Sequence, residues 1–345
     1  MLSRWTGAFQ VAAVYVGTIV GAGFATGKEI VEFFTRFGFY GFIGILIAGY
    51  IFIFTGSKMM ILSSRAGAAT FEEFNLFLFG KKLSSLVNVI FIMMLIGVTA
   101  VMISGSGAVF EEQLGFSKLA GVAVTIILAS LVLMFGMKGL FAVNSFVVPI
   151  MIFFSVLLCI LTINNGQFTA SFLTVPDQGL TFGAIISPLT YTAFNLALSQ
   201  AVLVPVAFEI GDEKVIKHGA VLGGIFLTVI LLSGHFALIT LPNLTDYEIP
   251  SAELMKTAAS NLYWIFILVI YGEIFTSVIG NIFGLQRQIG AYVKIPGIVI
   301  IGGIFLLAFI AGKLKYGVLL GYLYPLFGYI GMSFLLLIWI KRLNK

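Results

Sequence analysis

Apolar runs of roughly 18–25 residues recur along the whole chain, separated by short polar segments that hold the turn formers and most of the charges. Each run is long enough to cross a bilayer core of about 30 Å as a helix. The period-2 alternation of a membrane barrel is absent from the sequence. The pattern predicts about ten transmembrane helices, over 8–36, 39–64, 84–113, 117–136, 139–163, 183–210, 214–241, 259–288, 296–312 and 316–340. Together they make one all-α integral membrane domain over 1–345. Residues 71–79 read as a short amphipathic helix in the loop after span 2. The connection 164–181 is polar, with Asp177 as its one charge. The segment 244–257, with Pro250 and three acids, reads as a larger external loop carrying a short helix.

Two spans are interrupted. Span 1 contains Gly21-Ala22-Gly23-Phe24-Ala25-Thr26-Gly27, and each glycine weakens a helix interior by about 1 kcal/mol relative to alanine. Span 6 contains Asn195-Leu196-Ala197-Leu198-Ser199-Gln200 between Pro188 and Pro205, and proline removes a backbone donor and kinks a helix. Broken backbone at membrane depth is tolerated only where it is buried or lines a cavity. The breaks lie about 174 residues apart, half the chain. Interrupted segments at matching positions of two halves point to a transporter binding site. Ten spans then divide as a 5+5 inverted repeat, 8–163 and 183–340, with helices 1 and 6 discontinuous.

Composition agrees with this class. The chain is 60% hydrophobic and only 10% charged, with a mean hydropathy of +1.12, whereas soluble domains are about 25% charged. The net charge of +5 is scattered through loops and forms no nucleic-acid face. The single cysteine, Cys159, excludes an intrachain disulfide and a cysteine metal cluster. The first apolar segment lacks a small-residue cleavage site and reads as a retained helix. With the N-terminus in the cytoplasm, only Lys28, Arg36, Lys118, Lys256, Lys313 and Lys315 of the 19 Lys and Arg fall outside. The positive-inside rule therefore favours cytoplasmic N- and C-termini in a bacterial inner membrane.

Polar residues at membrane depth are the candidate chemistry. Glu273 lies inside the apolar run 260–285, and Thr276 and Ser277 follow three and four residues later on one helical face. An intramembrane carboxylate marks an ion or substrate path by default, and three oxygens at one place suit a small hard cation. At the span-1 break, Gly21, Ala22, Gly23, Phe24 and Thr26 begin a new half-helix, whose free amides suit a solute carboxylate. In span 6, Asn195, Ser199 and Gln200 face either a cavity or one another, with Tyr191 and Phe194 as a hydrophobic wall. Ser104, in Ser104-Gly105-Ser106-Gly107 of span 3, offers a small polar face to a solute or to a tightly packed neighbour. Glu29 and Glu32 read as an external gate or a solvated vestibule wall. Glu209 and Asp212 are set to pair with Lys214 or Lys217, Arg287 to anchor the interface or an inner gate, and His235 to pack or relay a proton.

The stretch Gly17-Thr18-Ile19-Val20-Gly21-Ala22-Gly23-Phe24 resembles the first-helix break of the amino acid–polyamine–organocation (APC) superfamily, whose members share the leucine-transporter fold. Residues 17–30 and the ten-span length are similar, more closely, to bacterial YkvI-type membrane proteins. The resemblance implies a secondary transporter. In sodium-coupled members of the fold, helix-1 carbonyls before the break and paired helix-8 hydroxyls hold sodium. Carried to this chain, Gly17, Val20 and Glu273 supply backbone carbonyls, and Thr276 and Ser277 supply hydroxyls. Proton-coupled relatives place a lysine on helix 5 instead. Span 5 has Lys138 only at its start, which favours sodium. The Glu273 carboxylate departs from the family pattern, either as an extra ligand or as a proton carrier.

The leading expectation is sodium-coupled symport of a small amino acid or related organic solute by alternating access. Proton coupling through Glu273, with an amine or amino acid as solute, is the alternative. A solute-sensing receptor on a transporter fold, as in spore-germination permease relatives, is a second class. An enzyme is disfavoured, because no H-E-x-x-H, paired-Asp or P-loop signature occurs. The expected partners are the solute, the coupling ion and the lipid bilayer, with no organic cofactor and no nucleic acid.

Overall fold

A bilayer core offers no water to backbone N–H and C=O groups, so each apolar segment satisfies its own by forming a helix. The computed structural model describes residues 4–163, 168–176, 179–244, 247, 249–292, 295–311 and 316–341, and these form helices and turns without a strand. Span 1 is built from α1 (Arg4–Ile19), α2 (Ala22–Ala25) and α3 (Lys28–Phe33). Then follow α4 (Phe39–Arg65), α5 (Phe71–Ala108), α6 (Lys118–Leu133), α7 (Gly136–Ile163) and the short α8 (Phe168–Phe172). The second half holds α9 (Phe182–Ile210), α10 (Glu213–Leu238), α11 (Pro250–Ala258), α12 (Tyr263–Tyr292), α13 (Gly297–Ala311) and α14 (Tyr316–Ile340). Six of these, α4, α5, α7, α9, α10 and α12, are long and apolar enough to cross a membrane. The other expected spans fall on the interrupted α1–α3 and on shorter apolar helices within α6, α13 and α14. Lys294, Lys313, Lys315, Arg342 and Lys345 of the charge count, and the loop acids Asp177, Asp246 and Glu248, lie outside the described residues.

Local signals place the boundaries. Thr70 opens α5 with a reciprocal cap: its hydroxyl accepts from the Glu73 N–H, and the Glu73 carboxylate accepts from the Thr70 N–H. The amphipathic helix expected over 71–79 is the first part of α5. Gly80, at φ 73°, kinks it into the span. The helix expected in the 244–257 loop is α11, opened by Pro250.

One expectation is corrected. Span 6 is not broken: α9 runs unbroken from Phe182 to Ile210 with Pro188 and Pro205 inside it. Past Gly183 it holds no glycine, and several of its polar side chains bond back onto the helix itself, while Ser187 Oγ donates to the Phe33 carbonyl (2.6 Å) and the Tyr191 hydroxyl and the Gln200 amide are buried without a hydrogen-bond partner among the described residues. Thr192 Oγ1 donates to the Pro188 carbonyl (2.7 Å), Asn195 Nδ2 to the Tyr191 carbonyl (3.0 Å) and Ser199 Oγ to the Leu196 carbonyl (3.2 Å). These three side chains find acceptors one turn back without the helix having to open.

Packing places the broken span at the centre. α1 packs on α10 and α7, α9 packs on α4 and α14, and α12 packs on α5. Exchanging spans 1–5 with spans 6–10 converts the α1–α10 pair into α9–α4 and the α1–α7 pair into α9–α14, as a two-fold repeat requires. Close approach needs small residues. Tyr15 of α1 is fully buried and donates to the Phe52 carbonyl (2.8 Å). A Cβ at Gly56 or Gly223 would overlap its ring or hydroxyl.

Three arginines close the end of the bundle that carries the N-terminus. Arg4 of α1 pairs with Asp212 (3.4 Å), Arg65 of α4 with Glu213 (2.7 Å) and Arg287 of α12 with Glu209 (2.7 Å). The partners expected for Glu209 and Asp212, Lys214 and Lys217, are thereby corrected. Helix ends packed around the α9–α10 turn bring the arginines there, and Lys214 gives Asp212 its backbone N–H instead (2.9 Å). The amides of Val215 and Lys214, with Arg4 nearby, hold the Asp212 carboxyl below the usual carboxylate range.

Candidate functional site

The glycines of span 1 do open the helix. After Ile19 the chain turns extended at Gly21 and restarts at Ala22. A second interruption follows at Gly27, whose φ of 82° is left-handed. A side chain there would be strained and would strike the Ser251 hydroxyl. The first free amide, Ala22 N–H, donates to Met102 Sδ (3.0 Å). Thr26 stays within the turn: its hydroxyl donates to the Gly23 carbonyl (3.2 Å) and accepts from the Lys28 N–H (3.4 Å).

Because Gly27 re-aims the chain, α3 carries Glu29 back over the break. A Cβ at Gly23 would overlap the Glu29 carboxylate, which is 2% exposed. Glu29 lines a central cavity of about 20 Å³ with Thr18, Gly21, Phe194, Asn195 and Ser277. That is room for roughly one water. Phe194 packs on Tyr324 with ring centroids 4.4 Å apart.

Beside this cavity α12 meets the end of α1. The Ser277 hydroxyl reaches two carbonyls at the end of α1, Gly17 O (3.2 Å) within the helix and Val20 O just past it. The Thr276 hydroxyl donates to the Glu273 carbonyl (2.8 Å). A Cβ at Gly17 would stand 3.4 Å from Thr276 Cβ and would overlap the Asn144 side-chain oxygen. Asn144, on α7, is fully buried. Its Nδ2 donates to the Leu140 carbonyl (2.9 Å), and its Oδ1 has no hydrogen-bond partner among the described residues. Three carbonyls, two hydroxyls and one orphaned amide oxygen thus gather where α1, α7 and α12 meet. Among the described residues, no group of three or more His, Cys, Asp and Glu side chains forms a metal centre. The chemistry is oxygen-only and suits a hard cation.

Residues 7–311 match the family described as Spore germination protein, Spore_permease. The chain belongs to that family. It is 45% identical over 329 residues to the membrane protein YkvI of Bacillus subtilis (strain 168), covering 95% of this chain and 94% of that protein. The fold is similar to that of MhsT, solved in complex with L-phenylalanine (TM-score 0.69, 12% identity, 95% of this chain and 87% of that one). It is also similar to a Na+-coupled sialic acid symporter solved in a substrate-bound outward-open state (TM-score 0.70, 12% identity, 98% and 80%). At these identities the likeness is one of fold, the leucine-transporter fold.

Within this spore germination family chain, the expected site residues divide. Gly17, Val20, Thr276, Ser277 and the Glu273 backbone come together, and Gly21, Phe194 and Asn195 line the central cavity. Ala22 and Gly23 stand at its edge, against Met102 and Glu29. Other residues lie elsewhere. The Glu273 carboxylate opens onto a second cavity of about 30 Å³ with Phe24, Ser155 and Ser251, because it sits one turn above Thr276 on α12. Ser104 accepts from Lys118 Nζ (3.1 Å) on α6. Tyr191 packs among Phe33, Phe34 and Phe52. Ser199 bonds its own helix, and Gln200 is buried outside the central cavity. Glu29, read as part of an outer gate or vestibule, is instead central. His235 packs, with Nδ1 3.2 Å from the Thr35 hydroxyl. Sequence reasoning missed Asn144, whose signal was a lone amide in an apolar run.

Proposed function

We propose that this chain is a secondary active transporter of a bacterial cytoplasmic membrane, with both termini cytoplasmic. It couples sodium to the movement of a small amino acid or related organic solute by alternating access. The observation that carries the reading is the oxygen cluster at the broken helix. Carbonyls of Gly17, Val20 and Glu273 and hydroxyls of Thr276 and Ser277 lie together, with Asn144 Oδ1 as a sixth oxygen that no donor among the described residues satisfies. Carbonyls at an interrupted helix are the membrane protein's usual means of holding a cation. Ser277 belongs to both the cluster and the central cavity, so ion and solute share one side chain and each affects the other's affinity.

The test is thermal unfolding of the purified protein in sodium, potassium and choline chloride at matched ionic strength. A ligand that binds only the native state raises the melting temperature with its occupancy. A sodium-specific rise, lost in Thr276→Ala and Ser277→Ala, is expected. No difference between sodium and potassium sinks sodium coupling. If stability instead follows pH and Glu273→Gln abolishes that dependence, the coupling ion is the proton. The family's description as a spore germination protein favours a second reading, a solute receptor without net transport. Uptake of labelled solute into proteoliposomes under a sodium gradient separates the two.

A further inference from the structure

The central cavity contains an unpaired acid that the transport reading does not use. Glu29 is 2% exposed and its Oε2 has no hydrogen-bond partner among the described residues. The four ion pairs among the described residues all involve other acids. Its neighbour Lys28 is turned to the Tyr247 carbonyl (2.9 Å). The residues lining the cavity include one acid and no base. An ionised carboxylate buried at membrane depth needs a counter-ion or a proton.

The place of this acid matters as much as its burial. The Glu29 carboxylate lies against Gly23, at the first turn after the break. That is where a solute carboxylate would have to approach, and the Ala22 amide is already taken by Met102. A solute carboxylate there would meet a like charge at close range in a poorly screened site. The cavity is also lined by Phe194 and Tyr324, and the faces of aromatic rings attract cations. A volume of about 20 Å³ admits a group the size of a water or an ammonium head, and the remainder of a solute enters as the cavity widens in the transport cycle.

We infer that the central cavity recognises a cationic nitrogen with Glu29 as its counter-ion, so that the preferred solute is an amine without a carboxylate. The inference rests on the reading of the chain as a solute carrier or receptor. It narrows that reading, since Glu29 takes the position that the carboxylate of an amino acid would otherwise occupy.

Three probes on one carbon skeleton test it: isobutylamine, L-valine and isovalerate, which are the amine, the zwitterion and the acid. Each is titrated against the purified full-length protein in constant sodium, with melting temperature as readout, and methylammonium and putrescine extend the amine series. Saturable stabilisation by the amines, weaker by L-valine and absent with isovalerate, is expected. Glu29→Gln weakens the amine response by roughly tenfold or more, one charge-assisted contact's worth. Glu29→Asp restores much of it, and the sodium response survives in both variants. Preference for L-valine or isovalerate overturns the inference, as does an amine response unchanged in Glu29→Gln. No amine response in a protein that still responds to sodium overturns it too, and leaves the transport reading standing. Loss of response to sodium and to every probe counts against the transport reading itself. If Glu29→Gln does not fold, the order of amine, zwitterion and acid on the parent protein decides the matter.

Discussion

Asn144→Ala separates an ion ligand from a structural amide. Among the described residues the side chain makes one hydrogen bond, from Nδ2 to the Leu140 carbonyl on its own helix, and its buried Oδ1 has no donor. An unsatisfied buried acceptor costs about 1–3 kcal/mol. Deleting it therefore offsets much of the packing lost with the side chain, and stability in potassium should change little. With sodium bound, the same oxygen faces a charge, a contact that contributes about 1.5–3 kcal/mol. Its removal should weaken sodium affinity by about 10- to 150-fold. At a sodium concentration 100 times the parent Kd, the stabilisation by sodium is about 2.7 kcal/mol. A 100-fold loss of affinity reduces it to about 0.4 kcal/mol. The assay is a sodium titration of the melting temperature, with potassium making up the ionic strength. Equal destabilisation of the variant in both salts, with an unshifted sodium midpoint, would refute the ligand assignment. Asn144→Lys should place an ammonium at the same point and abolish the sodium response altogether.

Further outcomes follow from the geometry. Glu273→Gln should move the sodium midpoint less than roughly threefold, since the carboxylate faces the second cavity and only the backbone joins the cluster; a tenfold shift in the titration would contradict this placement. Tyr15→Phe should cost about 0.5–1.5 kcal/mol and Gly56→Ala about 1–3 kcal/mol in chemical unfolding. The double variant should cost less than the sum, because a Cβ at Gly56 collides with the hydroxyl that Tyr15→Phe removes. Asp212 has a lowered folded pKa, so its contribution to stability is present above its ordinary value of 3.8 and is lost as pH falls through the lowered value. Melting temperatures from pH 7 to pH 3 should fall less steeply in Asp212→Asn, which keeps the cap without the charge, and Asp212→Ala should melt lowest at pH 7.

The parts of this molecule that were legible in its sequence are those in which helical phase is continuous. Thr276 and Ser277 are fixed relative to Glu273 by unbroken helix, so a grouping of their hydroxyls with the carbonyls of Glu273, Gly17 and Val20 could be carried over from a resemblance, and in the structure Thr276 donates to Glu273 and Ser277 reaches Gly17 and Val20. Thr70 with Glu73 announces a helix start, and Pro250 another, from local chemistry alone. Glu29 was misplaced for the converse reason. Its side-chain direction depends on the turn at Gly21 and the left-handed Gly27, and counting in steps of 3.6 residues carries no information across such a break. The glycines said that the helix opens but not where the chain points afterwards. Span 6 failed differently: its prolines and amides look like those of a broken helix, yet Thr192, Asn195 and Ser199 are satisfied one turn back. Asn144 gave no more signal than any lone amide in an apolar span. Its meaning came from the third dimension, where its free oxygen points at Gly17 on a different helix. Backbone that leaves regular structure exposes the carbonyls that can hold an ion, and the same departure cancels the periodicity by which sequence reports direction. Sequence reading is therefore weakest at the break, where the oxygen cluster and the central cavity meet.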